Sequence, residues 1–430
     1  MRYGIATRDI TPPFPTSMGG YGARRDYFDG VNDPLTLTCV VLEEGDRRAL
    51  LVAADLISFP GAETPALRER LAAVAGCRGD AVVLNASHTH GGPKLPSPEG
   101  YSLRRYDMAA ARRYAAWLFQ QVEDAAGAAA ASLAPGSLWY GEGRTTLPMN
   151  RRPDRNGQVP NAPNPGGPVD SRMQVLLLRD AGGAPVAVGM KVSCHPVATG
   201  AQHLITADFP GAWRAEFARA FGPRVTPFFL QGAGADARPR HVADGERWRQ
   251  MKHAELWEIG RDLMAECLTI LVGGGMEAVG ALDLQARVQK VEAPCETRYT
   301  ERTHFEQLRE RGGLYAEYAE ECIARLDRGE AIPASASYQV QTLWLSKDLA
   351  LIGIDAEPLC GLGRVVEAAA APAKAILLGY TNGCVSYVPD TAEMKRGGYE
   401  TDGYLYHGWA GPLLPGLEHL MANAVWRPES

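Results

Sequence analysis

Residues 50–93 read LLVAADLISFPGAETPALRERLAAVAGCRGDAVVLNASHTHGGP. Leu50–Ala54 and Ala81–Leu84 are short apolar runs bounded by Asp, Gly or Pro, which is how buried strands look. Pro65–Ala75 between them reads as a helix. A strand, a helix and a strand in succession predict an α/β fold.

The same alternation continues on both sides. Leu37–Leu42, Gln174–Leu178, Val186–Val192, Val225–Leu230, Gln339–Leu345, Leu349–Ile354 and Ala375–Leu378 read as strands. Asp107–Ala131, Gly211–Phe221 and Glu246–Leu271 read as helices, the last placing Trp248, Leu256, Ile259, Leu263 and Ile270 near helical spacing. Thr300–Arg328 is a charged helical excursion broken at Gly312–Gly313, and Thr145–Ser171 is a proline-rich loop crossing the domain. Nothing marks a boundary, so residues 1–430 are expected to form a single domain of mixed β-sheets flanked by helices.

Composition excludes several function classes. The chain has 430 residues, 46% hydrophobic and 22% charged, which rules out disorder. Its formal net charge of −6 argues against a broad grip on nucleic acid. No apolar run is long enough to span a membrane. The N-terminus lacks an export-signal pattern, and eight cysteines lie scattered without CxxC pairs, so reduced thiols in a cytoplasm are expected. A cytoplasmic enzyme is the expectation, with a small-molecule substrate and room for a homo-oligomer.

Candidate ligands cluster at strand ends. His88 and His90 follow the run AVVLNA; in an extended segment, residues two apart face one side. His195 follows VAVGMKVSC, Glu357 follows LALIGID, and Tyr387 ends ILLGYTNGCVSY. Open α/β sheets place their sites at such C-terminal strand ends. Zinc takes imidazole and carboxylate ligands, and catalytic zinc keeps one position for water. Each residue alone reads equally well as a hydrogen-bonded core or turn residue.

In order along the chain, GIATRDITPP (4–13), MGGYG (18–22), VAADL (52–56) and ASHTHGGP (86–93) resemble motifs of the catalytic domain of neutral, non-lysosomal ceramidases. So do MNRR (149–152), CHPVATG (194–200), ITADFPG (205–211) and QGAGADARP (231–239). GIDAEP (353–358), GYTNGCVSYVPD (379–390) and EMKRGGYE (393–400) complete the series. The resemblance implies a catalytic zinc bound by His88, His195, Glu357 and Tyr387, with His90, Arg151 and Tyr399 beside the reacting centre. Asp208 and Asp236 would either orient the ligand histidines or serve as a helix cap and a loop turn.

Two departures bear on the substrate. The position of a serine proposed to act in the family falls on Arg238, which cannot be a nucleophile. The chain also ends about thirty residues past the last motif, so the family's C-terminal immunoglobulin-like domain is expected to be missing. The expectation is a zinc-dependent hydrolase cleaving a C–N amide bond of a small polar substrate by activated water, with Arg238 contacting that substrate. The alternative is a zinc-dependent lyase or isomerase, or a non-hydrolytic binding relative, acting on a sugar- or acid-like ligand.

Overall fold

The computed structural model describes residues 1–22, 24, 26–96 and 107–428. The strand–helix–strand unit folds as read: β3 (Arg47–Ala54), α1 (Thr64–Ala75) and β4 (Val82–Ala86), with β3 and β4 parallel. Before it lie β1 (Arg2–Asp9) and β2 (Thr36–Glu44); after it come α2 (Met108–Ala131) and β5 (Ala134–Arg144). Next come β6 (Arg172–Asp180), β7 (Pro185–Val192), α3 (Phe209–Phe221), β8 (Thr226–Gln231), α4 (Leu256–Val272) and β9 (Met276–Ala278). These strands make one nine-stranded mixed sheet in the order β8-β7-β6-β5-β1-β2-β3-β4, with β9 added on β5.

The C-terminal part builds a second sheet from β10 (Gln285–Pro294), β11 (Ser335–Ser346), β12 (Leu349–Ile354) and β13 (Lys374–Leu378), adjacent in that order. Helices α5 (Arg302–Glu310), α6 (Gly313–Asp327) and α7 (Cys360–Ala368) accompany it.

Side-chain alternation turns the two sheets into four layers. Along β2, Cys39 and Val41 face α1 and α2, while Val40 and Leu42 face the second sheet. Along β12, Leu349 and Leu351 face the first sheet, while Ala350, Ile352 and Ile354 pack towards α5–α7. Strands buried on both faces read as continuous apolar runs, which is why LALIGI was legible. Burying one such leucine contributes about 1.5–3 kcal/mol. On the β6–β7 side, Trp213, Phe217, Ile259 and Leu263 of α3 and α4 close the outer face.

Three long strands escape a sequence reading. In β1 and β10 charged residues interrupt the apolar pattern, and β5 (APGSLWYGEGR) carries a proline and three glycines. Gly143 is needed there: a Cβ would stand 2.7 Å from Ile270 Cγ1 of α4. The helix expected over Glu246–Leu271 begins only at Leu256, because Gly245–Glu246 makes a turn that pairs Ala243–Asp244 with Arg247–Trp248. Trp248 therefore lies off the helix. The break at Gly312–Gly313 separates α5 from α6 as read. No helix among the described residues is long and apolar enough to cross a membrane.

Candidate metal centre and active site

His88, His195 and Glu357 each stand just past the C-terminal end of a strand: β4, β7 and β12. The face-to-face packing of the sheets brings these ends together. Glu357 Oε2 lies 3.3 Å from His88 Nε2 and 3.2 Å from His195 Nε2. His90 Nε2 lies 3.2 Å from His88 Nε2, and donor atoms of His88, His90 and His195 all fall within 4.8 Å of one another.

The histidines meet for a different reason than strand alternation. Past β4 the chain leaves the sheet, and His88 adopts a left-handed backbone, φ 63°. Such a conformation costs about 1–3 kcal/mol and persists only where surroundings enforce it. The turn faces the two rings edge to face at 4.9 Å instead of setting them side by side. Gly20 of MGGYG lies over His90: φ is 92°, and a Cβ would sit 2.6 Å from the His90 ring. Glycine is required there on both counts. The following Tyr21 ring packs against His90 at 4.9 Å.

Two of the imidazoles are oriented from behind. His88 Nδ1 lies 2.7 Å from the carbonyl of Ile57, and His195 Nδ1 lies 2.7 Å from the carbonyl of Gly234. Carbonyls only accept, so Nδ1 carries the proton in both rings and Nε2 presents a lone pair. These carbonyls do the orienting, not Asp208 or Asp236. Asp208 caps α3, accepting from Phe209 N and Thr199 N, and Asp236 accepts from Cys360 N. No sequence pattern marks Ile57 or Gly234 for this role.

The donor set fits a small divalent cation. With zinc–nitrogen distances of 2.0–2.1 Å, neighbouring ligands of a tetrahedron stand about 3.3 Å apart, as Glu357 Oε2 does from His88 Nε2 and His195 Nε2. His195 Nε2 and Glu357 Oε2 are buried and make no hydrogen bond. Charge states agree. Burial, helped by Arg151, pushes His195 down to about 3. Burial and the neighbouring His88 and His195 hold His90 well below the usual imidazole range. Burial alone would raise Glu357, but the facing His88 and His195 outweigh it and hold the carboxyl well below its ordinary value. His90 and His195 are thus held neutral beside a carboxylate, the forms a metal binds.

Glu357 and Tyr387 are partners in a short parallel ribbon, Glu357–Pro358 against Tyr387–Val388. The Tyr387 hydroxyl accepts from Arg151 Nη2 at 3.3 Å, and its ring meets Tyr399 edge to face at 5.6 Å. The Arg151 guanidinium stands 5.3 Å from the Tyr399 ring and donates through Nε to Glu400 at 3.2 Å. The long proline-rich loop exists to place this arginine. Pro148–Asn150 pairs with Ala237–Pro239, and Arg151 N–H donates to Asp236 O at 2.8 Å. Glu400 also pairs with Arg152, which bonds Glu393 at 2.7 Å, so a buried network fixes Arg151.

Tyr380, not singled out in the sequence, stacks on His88 at 4.1 Å. Its hydroxyl is buried without a hydrogen bond, and its backbone is left-handed, φ 52°. GYTNG looks like an ordinary turn, and only the second sheet's docking places it here. Arg238 turns inward: it is partly buried, with its guanidinium 4.9 Å over the Trp248 ring.

No family model and no curated protein match the sequence. Solved structures do. Neutral ceramidase from Pseudomonas aeruginosa superposes with a TM-score of 0.72 at 21% identity, covering 98% of this chain and 73% of that one. A ceramidase complexed with C2 gives the same TM-score of 0.72 at 20% identity and the same coverages, 98% and 73%. The resemblance read from the ordered motifs is thus borne out in three dimensions: over nearly its whole length the chain has the fold of the neutral ceramidases.

Proposed function

We propose that this chain is a zinc-dependent amidohydrolase that uses water to cleave the C–N bond of a small polar amide. The observation carrying this reading is the convergence of His88 Nε2 and His195 Nε2 on Glu357, with both Nδ1 atoms committed to main-chain carbonyls. The likeness to ceramidases adds that this fold accommodates amide cleavage. His88, His195, Glu357 and Tyr387 are the proposed ligands. A zinc ion held there would polarise the amide carbonyl and lower the pKa of a water molecule to about 7.

The chain's own residues supply the rest. Arg151, tethered by Glu400, and Tyr399, kept protonated by burial, donate hydrogen bonds to the carbonyl oxygen as negative charge builds. His90 receives the proton leaving the water and passes it to the amine nitrogen as the C–N bond breaks. The balance is amide plus water to carboxylic acid plus amine. Arg238 faces the substrate, and its charge is the reason to expect a polar molecule in place of a lipid. The eight free thiols suit a reducing compartment, and residues 1–430 act as one catalytic unit built from both sheets.

The test is hydrolysis of an amide panel, from N-acyl sphingoid lipids to short polar amides, in labelled-oxygen water with and without a chelator. Chelator-sensitive turnover with label in the acid product is expected. Turnover without label would establish the lyase or isomerase alternative instead.

A further inference from the structure

Among the described residues, Arg238 is a cation without a counter-charge. It sits in the middle of the Ala237–Pro239 ribbon, opposite Met149, and is partly buried. The preceding residue is tied to the histidine cluster, since Ala237 O accepts the His195 backbone N–H at 3.1 Å. Its Nε is buried with no hydrogen-bond partner, and Nη2 makes only a stretched 3.5 Å contact to Val197 O. Among the described residues, no carboxylate lies within ion-pair distance of it. The other two inward-facing arginines differ: Arg151 has Glu400, and Arg152 has Glu393 and Glu400.

Taking a guanidinium largely out of water without an acid is unfavourable unless something else supplies the negative charge. Trp248 backs the planar group by its face, and Nε is left buried and unpaired. Burial pulls its pKa down, and the charges it senses include Tyr21, Tyr399 and Arg151, the side chains around His90 and Tyr387. Through the Val197 O contact and the Ala237–His195 hydrogen bond, the guanidinium is held beside the segment that carries His195.

We propose that Arg238, backed by Trp248, is an anion subsite and that the substrate amide carries a carboxylate, as an N-acyl amino acid does. This rests on the amidohydrolase reading for the cleaved bond, but not for the binding. The planar guanidinium can offer two N–H groups to the two oxygens of a carboxylate, a pairing lysine cannot reproduce.

The experiment uses the full chain loaded with zinc and two ligands of matched length, N-hexanoylglycine and N-hexanoylethanolamine. Calorimetry measures binding, and amine release measures hydrolysis. The parent should bind the acid roughly 10- to 100-fold more tightly than the alcohol. Arg238→Gln should collapse that ratio to within about threefold, and Arg238→Lys should leave an intermediate one. Trp248→Leu should weaken acid binding with the charge in place. Equal binding of the two ligands by the parent, a ratio unchanged in Arg238→Gln, or no binding of either overturns the subsite. Hydrolysis without acid preference would leave the amidohydrolase reading and remove the subsite. Arg238-dependent binding without hydrolysis would do the reverse.

Discussion

His88 and His90 face each other Nε2 to Nε2 at 3.2 Å, yet only His88 has its other ring nitrogen held. His90 Nδ1 is buried with no partner. Ligand histidines almost always donate their second N–H to an orienting acceptor, and the asymmetry is the ground for proposing His88 as a ligand and His90 as a proton carrier. His90→Ala should keep the metal and lose about 10²–10⁴ in kcat. Metal content and turnover on the same preparation check this. A variant that lost zinc, yet worked in added zinc, would make His90 the ligand.

His195→Ala removes a donor whose ring the Gly234 carbonyl fixes. Disturbing an orienting partner alone weakens metal binding about 10–100-fold, so deleting the ligand should cost more. Elemental analysis after dialysis is expected to find the variant essentially metal-free beside a loaded parent. Full occupancy would place the metal elsewhere.

Asp55 is 1% exposed and accepts from Thr36 N at 2.8 Å and Arg214 Nη1 at 3.1 Å. It lies two residues before Ile57, whose carbonyl orients His88. Arg214→Ala leaves that carboxylate buried with its cation gone, at a cost of about 3–5 kcal/mol. Chemical denaturation measures it. A loss under 1 kcal/mol would show the pair to be solvated.

Burial pushes Asp208 up to about 6, despite the bonds it accepts from Phe209 and Thr199. An unfolded aspartate titrates near 3.9, so between about pH 4 and 6 the folded state holds a proton the unfolded state has lost. This contribution to stability is fully present below pH 4 and declines as pH rises through 6. Asp208→Asn cannot ionise; its one oxygen can keep the bond from Phe209 N, and the lost bond from Thr199 N is a cost that does not vary with pH. Its stability relative to the parent should therefore improve by up to about 3 kcal/mol between pH 4 and 7. A difference in melting temperature that stays constant over that range would refute the shift.

The sequence shows what local pattern can carry. His88, His195 and Glu357 were legible because each follows a strand whose two faces are both buried, giving an unbroken apolar run. Arg151 and Tyr399 became legible only through the family resemblance, since nothing in MNRR or GGYE says which loop they cross. The Ile57 and Gly234 carbonyls were invisible because a backbone acceptor has no residue signature. Tyr380 and Glu400 were missed because their roles arise from sheet packing and a long-range ion pair. Strands β1, β5 and β10 were hidden by side chains that answer to solvent or to close helix contact.

The proposed ligands also come from both sheets: His88 and His195 from the nine-stranded one, Glu357 from the four-stranded one. An ion bound by all three is a cross-link between segments synthesised far apart in time. On the ribosome the two histidines emerge long before Glu357, so a nascent chain can offer the metal only a partial grip. Tight metal capture then reports that the C-terminal sheet has docked. Chelation should do the opposite and loosen the seam between the sheets before it melts either one.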